Sequence, residues 1–161
     1  MKFTKVADVK TPTGNRGADN GIDFFIPNDW NEAQEMKLYV GEQVNIPTGI
    51  KVVVPDGWTL KMDNKSGVAV KKGLLVGATI VDPSYRGVIH MNLHKASVGS
   101  QDIFDEEKKA FYTVLTPGEK ICQGLLLRCS DEPIEELTNE EYEALGTTDR
   151  GQGGFGSTGT N

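Results

Sequence analysis

Basic clusters, long apolar runs and cysteines are all scarce in this sequence of 161 residues. Lysine and arginine number 17 against 23 aspartate and glutamate residues, a net charge of −6, and no basic stripe follows the chain. A broad nucleic-acid-binding face is therefore excluded. No apolar run approaches the roughly 20 residues of a membrane span, and the N-terminus lacks the apolar core of a signal peptide. We expect a soluble protein that stays where it is made, with neither nucleic acid nor membrane as partner.

The two cysteines, Cys122 and Cys129, lie seven positions apart in one apolar run. In a regular strand they would point to opposite faces. This spacing disfavours a disulfide between them or a shared zinc site. We predict two reduced thiols in the core.

Most apolar segments are short, rich in valine and isoleucine, and punctuated by glycine or proline. The segments typical of strands are LYVGEQVNIPTG, IKVVVPDGW, LLVGATIVDPSYRG, VIHMNL, AFYTVLTPGE and ICQGLLLRC. This succession favours a single all-β domain, a barrel or a sandwich. Helical signal is limited to TNEEYEALG, where Thr138 and Glu141 form a capping box and Gly146 ends the helix, and to a turn after Ser66.

Two polar segments between the predicted strands are interpreted as surface insertions, residues 27–35 and residues 94–110. The second is long for a hairpin connection. A protein partner that binds residues 94–110 is a hypothesis. The glycine-rich end of the chain is typical of a disordered terminus when considered alone.

Several local patterns allow both a chemical and an ordinary interpretation. Asp82 and Tyr85, at one predicted hairpin tip, could orient a water and pack against a sugar or base, although the local pattern alone favours a turn aspartate that accepts a backbone N–H. Lys65-Ser66-Gly67 is either an anion-binding turn or a polar turn with a solvated lysine.

Five segments, in order, resemble the five motifs of the homotrimeric deoxyuridine triphosphate pyrophosphatases, the dUTPases. They are NGIDF (20–24), NKSGVAV (64–70), GATIVDPSYRG (77–87), PGEKICQ (117–123) and RGQGGFGSTG (150–159). The resemblance covers nearly the whole chain apart from the two insertions, and the third and fifth motifs are specific.

The resemblance implies a jelly-roll-like β barrel that assembles as a homotrimer, with active sites at subunit interfaces. The barrel domain would span residues 1–146, and residues 147–161 would form a flexible arm that closes a neighbour's site. The implied activity is Mg²⁺-assisted hydrolysis of dUTP to dUMP and pyrophosphate. It keeps uracil out of DNA and supplies dUMP for thymidylate synthesis, in the cytoplasm of the cell or, for a viral protein, of its host.

The resemblance also implies a role for individual residues. Asp82 matches the carboxylate that activates water for attack on the α-phosphate. Tyr85 matches the ring that packs under deoxyribose and excludes a 2′-hydroxyl. Backbone groups around Thr79 and His90 would bind the uracil edge.

The remaining implied residues contact phosphate, metal or the closed arm. The substrate-binding ones are Lys65, Ser66, Gly67 and Gln123 in the barrel, and Arg150, Phe155, Gly156 and Ser157 in the arm. Arg150 would hold the γ-phosphate and Phe155 would stack on uracil. Asp23 matches the first-motif carboxylate, associated with Mg²⁺ through water, while the triphosphate itself carries the metal.

Lys65 departs from the family pattern, which usually has arginine there, and thereby loses a bidentate fork of donors. Two alternatives to dUTP hydrolysis fit the same scaffold: a nucleotide-sensing regulatory protein and a dCTP deaminase. The sequence from Asp82 to Tyr85 and the complete fifth motif favour the dUTPase over the deaminase.

Overall fold

The computed structural model describes residues 1–14, 19–130, 132–149 and 151. Strands dominate them, so the predicted all-β class is confirmed. The strands are β1 (Lys2–Lys5), β2 (Ile22–Phe25), β3 (Met36–Tyr39), β4 (Gln43–Val53), β5 (Trp58–Asn64), β6 (Leu74–Val76), β7 (Ile80–Val81), β8 (Val88–Lys95), β9 (Ile103–Asp105), β10 (Ala110–Leu115) and β11 (Lys120–Arg128). The helices are α1 (Ser66–Lys72) and α2 (Asn139–Ala144).

The described strands form three antiparallel sheets rather than one closed cylinder. Their orders are β1-β4-β8-β6, β3-β10-β9 and β2-β11-β5-β7. The last sheet matters for function, because it aligns Gln123 of β11 with Asp23 of β2, and Cys122 of β11 with Asn64 of β5. Three of the five motifs thus meet across neighbouring strands.

One hydrophobic core lies among the sheets, and alternation along the strands explains its composition. In β8, the inward residues Ile89, Met91 and Leu93 are buried, whereas His90 is exposed. Successive side chains of a strand point to opposite faces, which produces this pattern. Lys95 occupies the next inward position of the same strand and is also buried.

The chain divides into two compact units, Met1–Ser130 and Asp131–Asn161. The second contains α2, which begins as predicted: the Thr138 side chain accepts from the Glu141 N–H, and the Glu141 carboxylate accepts from the Thr138 N–H. The division into a domain of residues 1–146 and an arm of residues 147–161 stays a prediction. No helix in the described part of the chain has the length and apolar character needed to cross a membrane.

The two insertions differ in structure. Residues 27–35 contain a short 3-10 turn at Trp30–Ala33, with Asn31, Glu32 and Ala33 at positive φ. Residues 94–110 are more ordered than a bare loop, since they contain β9 and the buried end of β8.

Both cysteines are free thiols, as predicted. Cys122 is buried, and burial raises its pKa to about 12. Cys129 is exposed, so its prediction as a core residue is wrong. It follows Arg128, the last residue of β11, where the strand has left the core.

Candidate active site

Three motifs converge where β2, β5 and β11 lie side by side. Asp23 is the centre of the cluster: its Oδ1 accepts from Lys65 Nζ at 2.9 Å, and its Oδ2 lies 2.6 Å from Lys120 Nζ. The Asp23 side chain is 17% exposed, against 32% for Lys65 and 42% for Lys120. One largely buried carboxylate therefore holds two ammonium groups that are open to solvent.

The electrostatics of Asp23 follow from this geometry. Burial by itself raises the pKa of the carboxyl group, but the hydrogen bonds from Lys120 and Lys65 outweigh burial and lower it below the ordinary value of 3.8. Asp23 is therefore ionised at neutral pH. Two lysines against one carboxylate leave a local excess of positive charge in an acidic protein, which suits a phosphate ligand.

Gln123 lies beside this cluster and joins two motifs. Its Nε2 donates to the Asn64 carbonyl at 2.8 Å, and the Asn64 side-chain oxygen accepts from the Val76 N–H at 2.7 Å. Gly21 provides the space for the amide, since a Cβ there would lie 2.4 Å from Gln123 Oε1. The first, second and fourth motifs are thereby fixed to one another.

Ser66 and Gly67 begin α1 directly after Lys65, which confirms the helical turn predicted there. Both are exposed. Added to Gly67, a Cβ would meet no atom within 4 Å, so open space adjoins the backbone of this turn. The position is accessible to a ligand that approaches the main chain.

The third motif forms a separate, exposed turn between β7 and β8. The Tyr85 N–H donates to the Asp82 carbonyl at 3.1 Å, and both residues are exposed. The Tyr85 hydroxyl donates to the Val88 carbonyl at 2.9 Å, and His90 Nδ1 contacts the same oxygen at 2.9 Å. A Cβ at Gly87 would lie 2.3 Å from the Tyr85 hydroxyl, so a larger residue there would displace the ring.

Thr79 has one backbone group already engaged, since its carbonyl accepts from the Met62 N–H at 2.6 Å. His90 pairs with Pro47 in the neighbouring strand. Proline has no N–H to donate to it. The backbone roles predicted near Thr79 and His90 stay predictions.

Within one chain, Asp82 is remote from the Lys65 cluster. Val81, next to Asp82, pairs with Leu60 of β5. Lys65 follows Leu60 by five residues, which at 3.3 Å per residue is about 16 Å. The chain by itself does not bring the predicted catalytic carboxylate to the predicted phosphate-binding residues.

A protein cage for a metal is absent from the described residues, where no group of three histidine, cysteine, aspartate or glutamate side chains could hold one. Each Asp23 oxygen already accepts from a lysine. The contact of Asp23 with Mg²⁺ through water stays a prediction. Arg150, Phe155, Gly156 and Ser157 lie outside the described residues.

Lys120 and Asn64 are the site residues that sequence reasoning missed. Both lie inside quoted motifs, NKSGVAV and PGEKICQ, but neither spacing indicates a contact with another motif. The pairing of β2 with β11 brings Lys120 opposite Phe25, two residues from Asp23. The only signal in the sequence is the presence of Lys120 in a motif that is expected to bind phosphate.

The family model for dUTPase matches residues 28–159. The chain belongs to the dUTPase family. The "Deoxyuridine 5'-triphosphate nucleotidohydrolase" of Candida albicans is 35% identical over 152 residues, 94% of this chain and 82% of that protein. The protein of the same name from Fusobacterium nucleatum is 35% identical over 164 residues, 99% of this chain and 96% of that one.

Solved dUTPase structures share the fold. A substituted dUTPase of Staphylococcus bacteriophage 80alpha, with dUpNHpp, gives a TM-score of 0.77 at 21% identity and covers 99% of this chain and 98% of its own. A substituted dUTPase from phage phi11 of S. aureus, described with a structural Mg(II) ion, gives a TM-score of 0.67 at 19% identity. The match covers 84% of this chain and 95% of that one. At this identity the comparisons establish the jelly-roll-like β fold.

Proposed function

We propose that this protein hydrolyses dUTP to dUMP and pyrophosphate. The observation that carries the proposal is the joining of Asp23, Lys65 and Gln123 by hydrogen bonds and strand pairing. Relatives at 35% identity, named for dUTP hydrolysis, support the same conclusion. The dUTPase, as a cytoplasmic enzyme, would act on the free nucleotide.

The separation of Asp82 from Lys65 supports a site shared between chains. In a homotrimer, a second chain would supply the turn of Asp82 and Tyr85, and a third would supply the arm. The exposure of both side chains suits this arrangement, because exposed functional groups are free to meet a neighbour's ligand. A single subunit would then be inactive.

The reaction itself needs positioning and charge neutralisation more than covalent chemistry. Asp82 would accept a proton from a water whose oxygen attacks the α-phosphorus. The bond from the α-phosphorus to the bridging oxygen breaks, and pyrophosphate leaves with the bonding electrons. A positioned general base of this kind contributes about 10²–10⁴-fold.

The substrate contacts divide between phosphates and nucleoside. Lys65, Ser66, Gly67 and Gln123 would bind phosphate oxygens. Tyr85 would pack under deoxyribose, with uracil bound by backbone groups near Thr79 and His90. Mg²⁺ would arrive on the triphosphate and neutralise its charge, as expected for a cation that keeps phosphate and water ligands.

The arm would complete the site over the bound nucleotide. Arg150 would hold the γ-phosphate through its planar fork, and Phe155 would stack on uracil, with Gly156 and Ser157 beside it. Ordering a glycine-rich segment is costly in entropy, so closure would require the ligand. A protein partner at residues 94–110 remains a hypothesis without further support.

The deciding experiment measures pyrophosphate release from dUTP, dCTP, dTTP and UTP, each with Mg²⁺ and with EDTA, on protein whose mass is determined by light scattering. We expect metal-dependent release from dUTP alone, by a particle of three chains. Release of ammonia from dCTP, measured in the same reactions, would favour the deaminase. Binding of dUTP without hydrolysis would favour the nucleotide sensor.

A further inference from the structure

The carboxyl end of α1 is held by residues 95–102, the first half of the long insertion. The last carbonyls of a helix have no partner within it. Here the backbone carbonyl of Val70 accepts from the Ser100 N–H at 3.3 Å, and that of Lys71 accepts from the Gln101 N–H at 2.8 Å. The backbone carbonyl of Lys72 accepts from Lys95 Nζ at 2.7 Å. The insertion therefore provides one hydrogen-bond donor for each of the last three carbonyls of this helix.

Lys95 is the centre of this contact. Its side chain is 0% exposed, and its ammonium group donates to the carbonyls of Lys72 and Ser97 and to Asp102 Oδ2. A lysine has three protons to donate, so all are used. The Asp102 side chain is also 0% exposed, and its Oδ2 accepts from the Gly99 N–H as well.

The ion pair depends on both partners. Asp102 Oδ1 has no hydrogen-bond partner among the described residues, so Lys95 and the Gly99 N–H are what compensate the buried carboxylate. Removal of one charge leaves the other buried and uncompensated, which is far more costly than loss of an exposed pair. The geometry of the insertion is thereby fixed where it meets α1.

Before its first residue the chain is held by Asp23 at Lys65 and by Gln123 at Asn64, and the helix itself has few other contacts. None of its residues is fully buried, and Val68 only partly packs against the core. A second contact comes from the Lys72 side chain, which donates to the Val114 carbonyl at 2.6 Å and pairs with Glu119. Both attachments are polar and both lie at the carboxyl end of the helix.

The opposite end of α1 follows Lys65 and contains Ser66 and Gly67. Seven residues of helix rise about 10 Å, and a hydrogen-bonded helix moves as a unit. A shift at Lys72 is therefore transmitted to the residues at which the proposed function places the phosphates.

We propose that Lys95 and Asp102 are positioning residues for dUTP hydrolysis, which hold Lys65, Ser66 and Gly67 in place through α1. The proposal rests on the proposed function. It gives residues 95–102 of the insertion a role in binding the triphosphate. The nucleoside part of the substrate, assigned to the turn of Asp82 and Tyr85, should be unaffected.

The experiment compares Lys95→Met with the parent protein by titration calorimetry, using dUpNHpp as the triphosphate ligand and deoxyuridine as the phosphate-free ligand. We expect the affinity for dUpNHpp to fall by about 10–100-fold, the effect of a small misplacement of binding groups. The affinity for deoxyuridine should change less than about twofold, because that ligand has no phosphate to contact α1. The KM for dUTP should rise more than kcat falls.

Two further variants complete the test. Gly99→Ala keeps both charges but places a Cβ 2.3 Å from the Lys71 carbonyl oxygen, so it should show the same selective loss even where Lys95→Met fails to fold. Lys109→Met removes the exposed pair with Glu106 in the same insertion and should change neither affinity.

A folded Lys95→Met or Gly99→Ala protein with parental affinity for dUpNHpp would overturn the proposal. Equal losses for both ligands would also overturn it, since they indicate general loosening. Failure of the proposed function is a different result: the parent protein itself would release no pyrophosphate from dUTP.

Discussion

Asp23 Oδ1 accepts a hydrogen bond from Lys65 Nζ at 2.9 Å, across 42 positions of sequence. Lys120 occupies the other oxygen of the same carboxylate. Asp23 therefore fixes two cations: Lys65, to which the proposed function assigns a phosphate contact, and Lys120 beside it. Without Asp23, both lysines would lose the carboxylate with which they pair.

Asp23→Asn should make the stability of the protein less dependent on pH. Because the folded pKa of Asp23 lies below its ordinary value, its ion pairs stabilise the fold above that value and are lost as pH falls through the folded pKa. We expect the substitution to cost about 1–3 kcal/mol at pH 7, typical of hydrogen bonds to charged groups. The difference should shrink below about pH 4, as urea unfolding over a pH series would measure.

Glu106→Gln is the control for this measurement. Glu106 pairs with Lys109, and the two side chains are 78% and 72% exposed. A pair of this kind is worth less than about 1 kcal/mol. If Asp23→Asn and Glu106→Gln had equal, small effects, the central role of Asp23 would be contradicted.

Asp82→Asn should lower kcat for dUTP by about 10²–10⁴-fold, the loss expected for a general base. The fold should tolerate it, because Asp82 is exposed and its side chain makes no hydrogen bond within the described residues. The free energy of unfolding should change by less than about 0.5 kcal/mol. Asp56→Asn, at another exposed turn, serves as the control, and near-parental turnover by Asp82→Asn would remove Asp82 from this role.

Deletion of residues 150–161 should leave the melting temperature unchanged and lower kcat/KM for dUTP by about 10²-fold, because the arm would position substrate and exclude water. Deletion of Thr160 and Asn161 alone, beyond the fifth motif, should have no effect. A barrel that unfolds after the longer deletion would show that the arm belongs to the folded domain.

Local patterns in the sequence predicted the strands and the capping box, because both features depend on residues that are close together in the sequence. Alternation identifies Ile89, Met91 and Leu93 as inward residues, and Thr138 with Glu141 defines the start of α2. The motifs indicated which residues matter. The resemblance implied that different chains supply the third motif and the Lys65 motif to one site, but the separation of Asp82 from Lys65 within a chain depends on which strands pair, which no local pattern shows.

The burial of Lys95 shows where such reasoning stops. Residues 94–110 are polar and charged, and polar segments between strands are usually solvated. Lys95 is buried because carbonyls of α1 and the carboxylate of Asp102 surround its ammonium group. No local pattern predicts a lysine whose partners include the end of a helix 23 positions earlier in the chain.

Tyr85→Ala should weaken discrimination between dUTP and UTP. The ring is exposed at the turn and is held by the hydrogen bond from its hydroxyl to the Val88 carbonyl. Under the proposed function this ring leaves no space for a 2′-hydroxyl. We expect the ratio of kcat/KM for dUTP over UTP to fall by at least about tenfold, the scale of discrimination set by pocket packing.

Tyr85→Phe distinguishes the contribution of the ring from that of its hydroxyl. It keeps the packing surface and removes only one exposed hydrogen bond, so the dUTP/UTP ratio should change less than about threefold. Gly87→Ala should resemble Tyr85→Ala instead, because its Cβ would collide with the Tyr85 hydroxyl and displace the ring. A dUTP/UTP ratio that stays constant in all three variants would show that the ring of Tyr85 does not select deoxyribose.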